Sequence, residues 1–161
     1  MQGGNPSMGG FDGGGMAQSS SSCLVQINGG TLTLSGGNDG IDSNGNVEIN
    51  GGVVLVCGPN SGMDGSLDYD LSAQVNGGTV LMTGAVGSTK GLDQSEQAWM
   101  VASVQGGKGS NVTLRDASGN ELATLMATQA FANAFVSSPE IANGASFTIE
   151  VDGTPTSLTM K

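Results

Sequence analysis

The sequence predicts an all-β chain: a right-handed parallel β-helix whose last coils are followed by a small antiparallel β cap. Three observations predict it. Glycine is abundant without a collagen period, at 29 of 161 residues. Valine, isoleucine, leucine and threonine fall in short alternating runs of the kind that form half-buried strands. A strand–corner–strand unit also recurs three times, which is the mark of a solenoid.

The unit is Gln26-Ile27-Asn28-Gly29-Gly30-Thr31-Leu32-Thr33-Leu34. It returns as Glu48-Ile49-Asn50-Gly51-Gly52-Val53-Val54-Leu55-Val56, then as Gln74-Val75-Asn76-Gly77-Gly78-Thr79-Val80-Leu81-Met82. The steps are 22 and 26 residues, enough for one coil of short strands and tight corners. Glycine reaches positive φ at little steric cost and asparagine tolerates it, so Asn-Gly-Gly suits a corner. Period-two alternation then points Val25, Ile27, Leu32 and Leu34 inward, with Val47, Ile49, Val54, Val56, Val75, Val80 and Met82 beneath them.

A third side follows each pair of strands. Placing Ile41, Leu67 and Leu92 inward stacks Asp42, Asp68 and Asp93 in an outward column, with Asn44, Asp70 and Ser95 beside it. Continuing the third coil puts Ala98 and Met100 inward and Trp99 outward, above Glu48 and Gln74. From about Val101 the pattern changes. Asn111–Asp116, Glu121–Met126, Phe131–Ser137 and Ser146–Val151 read as antiparallel strands covering the open end of the solenoid. The expected organisation is a Gly/Ser-rich insert or leader over 1–22, coils over 23–101 and the cap over 102–161.

Composition excludes several functions. The net charge is −10, with four basic residues and no histidine. Such a surface repels phosphate, which argues against nucleic acid and anionic membranes as partners. Without histidine there is no Ser-His-Asp triad, no imidazole base and no zinc site of the usual kind. No stretch has the roughly 18 apolar residues of a membrane span, so membrane insertion is not expected. Residues 1–22 lack the basic and apolar regions of a signal peptide. Cys23 and Cys57 make neither a disulfide framework nor a metal motif; Cys57 falls outward in its strand and Cys23 is out of register with it.

The aspartate column is the first candidate for chemistry. Carboxylates stacked about 5 Å apart repel one another and call for a positive charge. Calcium suits hard oxygen donors, and Asp39, Asp42, Asp64, Asp68, Asp70 and Asp93 are its candidate ligands. Against this stands the plainer reading that Asp and Asn are good turn residues. Lys90 stands where the other coils have Asp39 and Asp64. It reads as a partial neutraliser of the column or, alternatively, as the base of a β-elimination. The remaining basic residues, Lys108, Arg115 and Lys161, fall in or next to the cap, so none is at hand to hold a uronate.

Tyr69 and Trp99 are the only Tyr and Trp. An aromatic ring beside Asp and Asn side chains is what sugar rings stack on, so Tyr69, Asn44, Asp70 and Trp99 are the candidate carbohydrate-binding residues. Trp99, at the junction of coil and cap, has packing beneath the cap as its competing role.

Several segments together are similar to a known family. They are Asn28-Gly-Gly-Thr-Leu-Thr, Asp39-Gly-Ile-Asp-Ser-Asn-Gly45, the Val-Val-Leu-Val-Cys-Gly-Pro run ending at Pro59, Gly65-Ser-Leu-Asp-Tyr-Asp70, Asp116-Ala-Ser-Gly-Asn-Glu121 and Ser137-Ser-Pro139. They resemble secreted bacterial proteins containing a carbohydrate-binding domain, parallel β-helices akin to calcium-dependent pectate lyases. The resemblance covers most of 23–161. It implies a non-catalytic, calcium-dependent module that binds plant-type or acidic polysaccharide in a secreted or cell-surface protein, as a monomer or as part of a longer chain. The rivals are a pectate-lyase-like polysaccharide lyase and a calcium-stabilised structural or adhesive solenoid.

Overall fold

The structure, a computed structural model, describes residues 18–60, 64–86, 90–92 and 94–161. Among the described residues every regular element is a β-strand and no helix is long and apolar enough to cross a membrane. The repeat becomes β1 (Leu24–Ile27), β2 (Thr31–Ser35) and β3 (Ile41–Ser43), then β4 (Asn46–Ile49), β5 (Val53–Cys57) and β6 (Leu67–Tyr69), then β7 (Ser72–Val75) and β8 (Thr79–Gly84).

Strands at equivalent places pair in parallel, giving the ladders β1-β4-β7, β2-β5-β8 and β3-β6. The register sets like on like. Ile27 meets Ile49 and then Val75; Leu34 meets Val56 and then Met82. With Ile41, Leu67 and Phe135 these side chains form a single inner cluster. Its residues in β4, β5, β7 and β8 are sealed, Val54, Val56 and Val80 completely so. Their counterparts Val25, Ile27, Leu32 and Leu34 in β1 and β2 are only partly buried.

The corners explain the Asn-Gly-Gly signature. The second glycine of each pair has positive φ: 81° at Gly30, 90° at Gly52 and 87° at Gly78. Successive corners bond through their backbones, Val53 N to Gly30 O at 2.8 Å and Thr79 N to Gly52 O at 2.9 Å. The asparagines form an amide ladder, Asn76 donating to Asn50 and Asn50 to Asn28, both at 2.9 Å.

The C-terminal strands are β9 (Trp99–Ala102), β10 (Asn111–Arg115), β11 (Glu121–Met126), β12 (Asn133–Ser137), β13 (Ser146–Val151) and β14 (Thr154–Thr159). The four expected antiparallel segments are all present. The last strand, β14, closes a hairpin at Asp152-Gly153, where both residues have positive φ. An Asp-Gly dipeptide is a strong signal for such a turn.

These strands do two different jobs. β12 runs antiparallel beside β8, with β9 outside it, extending that ladder to the order β2-β5-β8-β12-β9. The sheet β11-β10-β13-β14 lies over the outer side of β5 and β8. There Leu55, Cys57 and Leu81 join a second core with Val112, Leu114, Leu125, Phe147 and Ile149. Burying each large aliphatic side chain is worth about 1.5–3 kcal/mol, so this flank is a major source of stability. β12 and β9 thus extend the ladder beyond β8, while the larger sheet covers the outer side of β5 and β8. Cys57, expected to face outward, does leave the inner cluster, but it is 2% exposed and donates its thiol to Met126 O at 3.3 Å. Cys23 is exposed, and both thiols are free.

Candidate functional site

Two sides of the parallel ladders remain uncovered by the second sheet, and the aspartate column lies on one of them. Isoleucine at 41 and leucine at 67 anchor β3 and β6 in the inner cluster, at 4% and 1% exposure. Alternation then turns their neighbours outward, and the register sets Asp42 directly against Asp68 and Ser43 against Tyr69. The expected stacking thus holds for its first two members. Asp93, its third, lies outside the described residues.

Lys90 supplies the nearest positive charge. Its ammonium pairs with the Asp68 carboxylate, donates to Tyr69 O at 2.8 Å and sits 5.1 Å from the Tyr69 ring centroid. Tyr69 is fixed from both ends, its hydroxyl donating to Gly91 O at 2.7 Å and its backbone N to the Asp68 carboxylate at 2.9 Å. Lysine, aspartate and tyrosine thereby form one surface cluster in which the ring keeps partial exposure. Half-exposed ion pairs contribute only about 0–1 kcal/mol, so the cluster's value lies in positioning rather than stability.

Neutralisation is incomplete at Asp42. Burial, followed by the charges of Asp39, Asp68 and Asp70, raises its carboxyl above the ordinary 3.8, with Lys90 opposing. Between 3.8 and that raised value the folded state holds more protons than the unfolded one, so Asp42 lowers stability as pH rises through this window. Asp116 and Asp152 behave oppositely. Hydrogen bonds, chiefly from Asn120 and from Asn111 respectively, lower their carboxyls, and that stabilisation is lost as pH falls below 3.8. Asp42→Asn is therefore expected to raise the melting temperature at about pH 7 and to change it little near pH 3, where the carboxyl is protonated in both states. Thermal unfolding followed across this range checks the sign, and a lower melting temperature at neutral pH would contradict it.

Other candidates are held by partners of their own. Asp39 accepts a hydrogen bond from Gly65 N at 2.7 Å, bracing one turn against the next. Asp70 accepts from the Ser19 hydroxyl at 2.8 Å, and Asn44 receives Ser20 N on its backbone carbonyl. Asp64 is half-buried at the start of its turn. Among the described residues no three acidic or cysteine side chains converge on one point. Calcium takes six to eight oxygens, so among the described residues a site would have to add backbone or amide oxygens to these carboxylates.

Trp99 corrects the orientation read from the sequence. It faces the inner cluster, stacked on Phe135 at 5.8 Å between centroids and 13° between planes, while Ala98 and Met100 pack in the second core. The reason is that β9 does not continue over Glu48 and Gln74. It pairs with β12, and in the new sheet the side-chain parity is reversed, as a one-residue shift must do. Trp99 also lines a groove of about 550 Å³ with Glu96, Gln97, Asn143 and Lys161.

The Ser19 contact and the Gly91 acceptor were not legible in the sequence. The spacing of Lys90 from Tyr69, 21 residues and close to one coil, was the available sign that they would meet. Compared with known proteins, the chain matches no family model, no curated protein and no solved structure.

Proposed function

We infer that residues 23–101 form a right-handed parallel β-helix and 102–161 its antiparallel cap, and that the whole is a non-catalytic polysaccharide-binding module of a secreted or cell-surface protein. The fold reading is supported by three parallel ladders, two of them recurring at steps of 22 and 26 residues with like apolar side chains in register and the third stepping by 26. One observation carries the functional reading: the Tyr69 ring, packed by one side against the inner cluster, keeps partial exposure beside Asp68 and Lys90 on a side the second sheet leaves open. A ring flanked by a carboxylate and an ammonium offers a sugar one stacking surface and hydrogen-bond partners for its hydroxyls. The ladder beneath is rigid, so little ordering cost attends binding. Its resemblance to carbohydrate-binding β-helix proteins points the same way.

Lysis by Lys90 is the weaker reading, because its ammonium protons are already given to Asp68 and the Tyr69 carbonyl. The test is retention on neutral and acidic polysaccharides, with calcium and with chelator, while absorbance is followed for unsaturated products. The expected result is retention without product, weakened roughly three- to tenfold by Tyr69→Ala. Retention abolished by chelator would add calcium to the reading. Product formation lost in Lys90→Ala would replace the module with a lyase, and no retention on any glycan would leave a structural solenoid.

A further inference from the structure

We propose that the open edge formed by β1 and β2 is a self-association surface, on which a second copy of this chain pairs β2 against β2 in antiparallel register about a two-fold axis at Thr33. Among the described residues β1 and β2 are the outermost strands of their sheets, and nothing pairs with their outer edges. Beneath that edge Val25, Ile27, Leu32 and Leu34 are only partly buried, whereas the equivalent residues one coil below are sealed, and Leu24 is 48% exposed.

Exposed edges in monomeric proteins carry charges, prolines or bulges that stop them pairing. This one carries none. In a chain of net charge −10, β1 is Leu-Val-Gln-Ile and β2 is Thr-Leu-Thr-Leu-Ser, and both keep an unbroken register with their neighbours. The region best suited to contact is thus free of the repulsion present elsewhere.

The choice of occupant rests on β2 itself. Its sequence is close to a palindrome centred on Thr33. Antiparallel pairing about that residue sets Leu32 against the second copy's Leu34, Thr31 against Ser35 and Thr33 against Thr33. Apolar residues stay inside and hydroxyls outside on both strands. The same ladder already accepts an antiparallel neighbour at its other edge, where β12 lies on β8. That strand also blocks head-to-tail stacking through β8, which leaves like edge against like edge, the isologous contact of a closed dimer. Residues 1–17 are a poor alternative cover. They are glycine-rich and nowhere place apolar residues two apart, so they lack the inward pair a coil needs.

Sedimentation of the full chain over a wide concentration range, beside a version lacking residues 1–17, tests this directly. Both are expected to reach a dimer that stops at two copies. Thr33→Asp, at an exposed position, is expected to weaken it severalfold through like charges meeting on the axis, with circular dichroism unchanged. In a Cys23→Ser background, Thr33→Cys is expected to cross-link to a covalent dimer under mild oxidation, while Gln26→Cys, exposed but off the axis, does not. The idea fails if both versions remain monomers throughout or if Thr33→Asp dimerises unchanged. It fails equally if only the shortened version associates, which would make residues 1–17 the cover. Mass that keeps growing with concentration would also overturn it, since open-ended polymers require β2 to pair with a different edge such as β9.

Discussion

Replacing Phe135 with alanine is expected to lower stability by about 3–5 kcal/mol. Phe135 is completely buried in β12 and projects into the inner cluster, beneath the ring of Trp99. It is contributed by a C-terminal strand to a core otherwise built mainly by the repeats, so it joins the two halves of the molecule. Its removal leaves a cavity and also ends the ring stacking, itself worth about 0.5–1.5 kcal/mol. Because Trp99 is the only tryptophan, its fluorescence reports the same event. Urea unfolding should show the lost stability, and the native emission should shift as the ring loses its partner. A cost below about 1 kcal/mol with unchanged emission would mean that β12 does not pack as described.

The second large effect is expected at Gly52. Its φ is +90°, and an added Cβ would lie 2.5 Å from Gly30 O and 2.8 Å from Gly29 C, both backbone atoms of the adjacent corner. No side chain can swing away to make room. Gly153 gives the matched control, since its φ is +81° and nothing lies within 4 Å of its added Cβ. Gly153→Ala should therefore cost only the conformational strain, roughly 1–2 kcal/mol. Gly52→Ala should cost at least about twice as much, because strain and the separation of two adjacent corners add. Paired thermal melts of the two variants decide it. Equal losses would show that the corners yield without disturbing the ladders.

How much of this was legible depended on whether neighbours lie one repeat away. Within the repeats, the alternation of Val47, Ile49, Val54 and Val56 and the recurrence of Asn-Gly-Gly specified both face and register, because each repeat sets its like against its like. The Asp42–Asp68 pairing followed from the same rule. At the end of the repeats that rule stopped. Trp99 obeys the parity of a sheet created by β12, a strand far along the chain, so extrapolating the third coil inverted it. Cys57 failed to be exposed for a related reason: local alternation correctly sends it away from the inner cluster but says nothing about a second sheet laid over that side. Lys90 was legible as a counter-charge. Its approach to the Tyr69 carbonyl and ring depended on the path of a turn that no period describes.

The sheet laid over β5 and β8 also bears on how the chain acquires its shape. Neighbouring repeats join residues 22 or 26 apart, as in the Asn28–Asn50 and Asn50–Asn76 contacts, and can close one after another. Contact between Cys57 and Met126 of the covering sheet spans 69 residues, and longer closures carry a higher entropic cost. Until those late strands arrive, Leu55, Cys57 and Leu81 present a greasy strip on an otherwise assembled ladder. Partly folded species of this kind are adhesive to one another. The interval before the final strands dock is thus when the molecule is most vulnerable to clumping, and a chain cut short after β8 would remain in that state permanently.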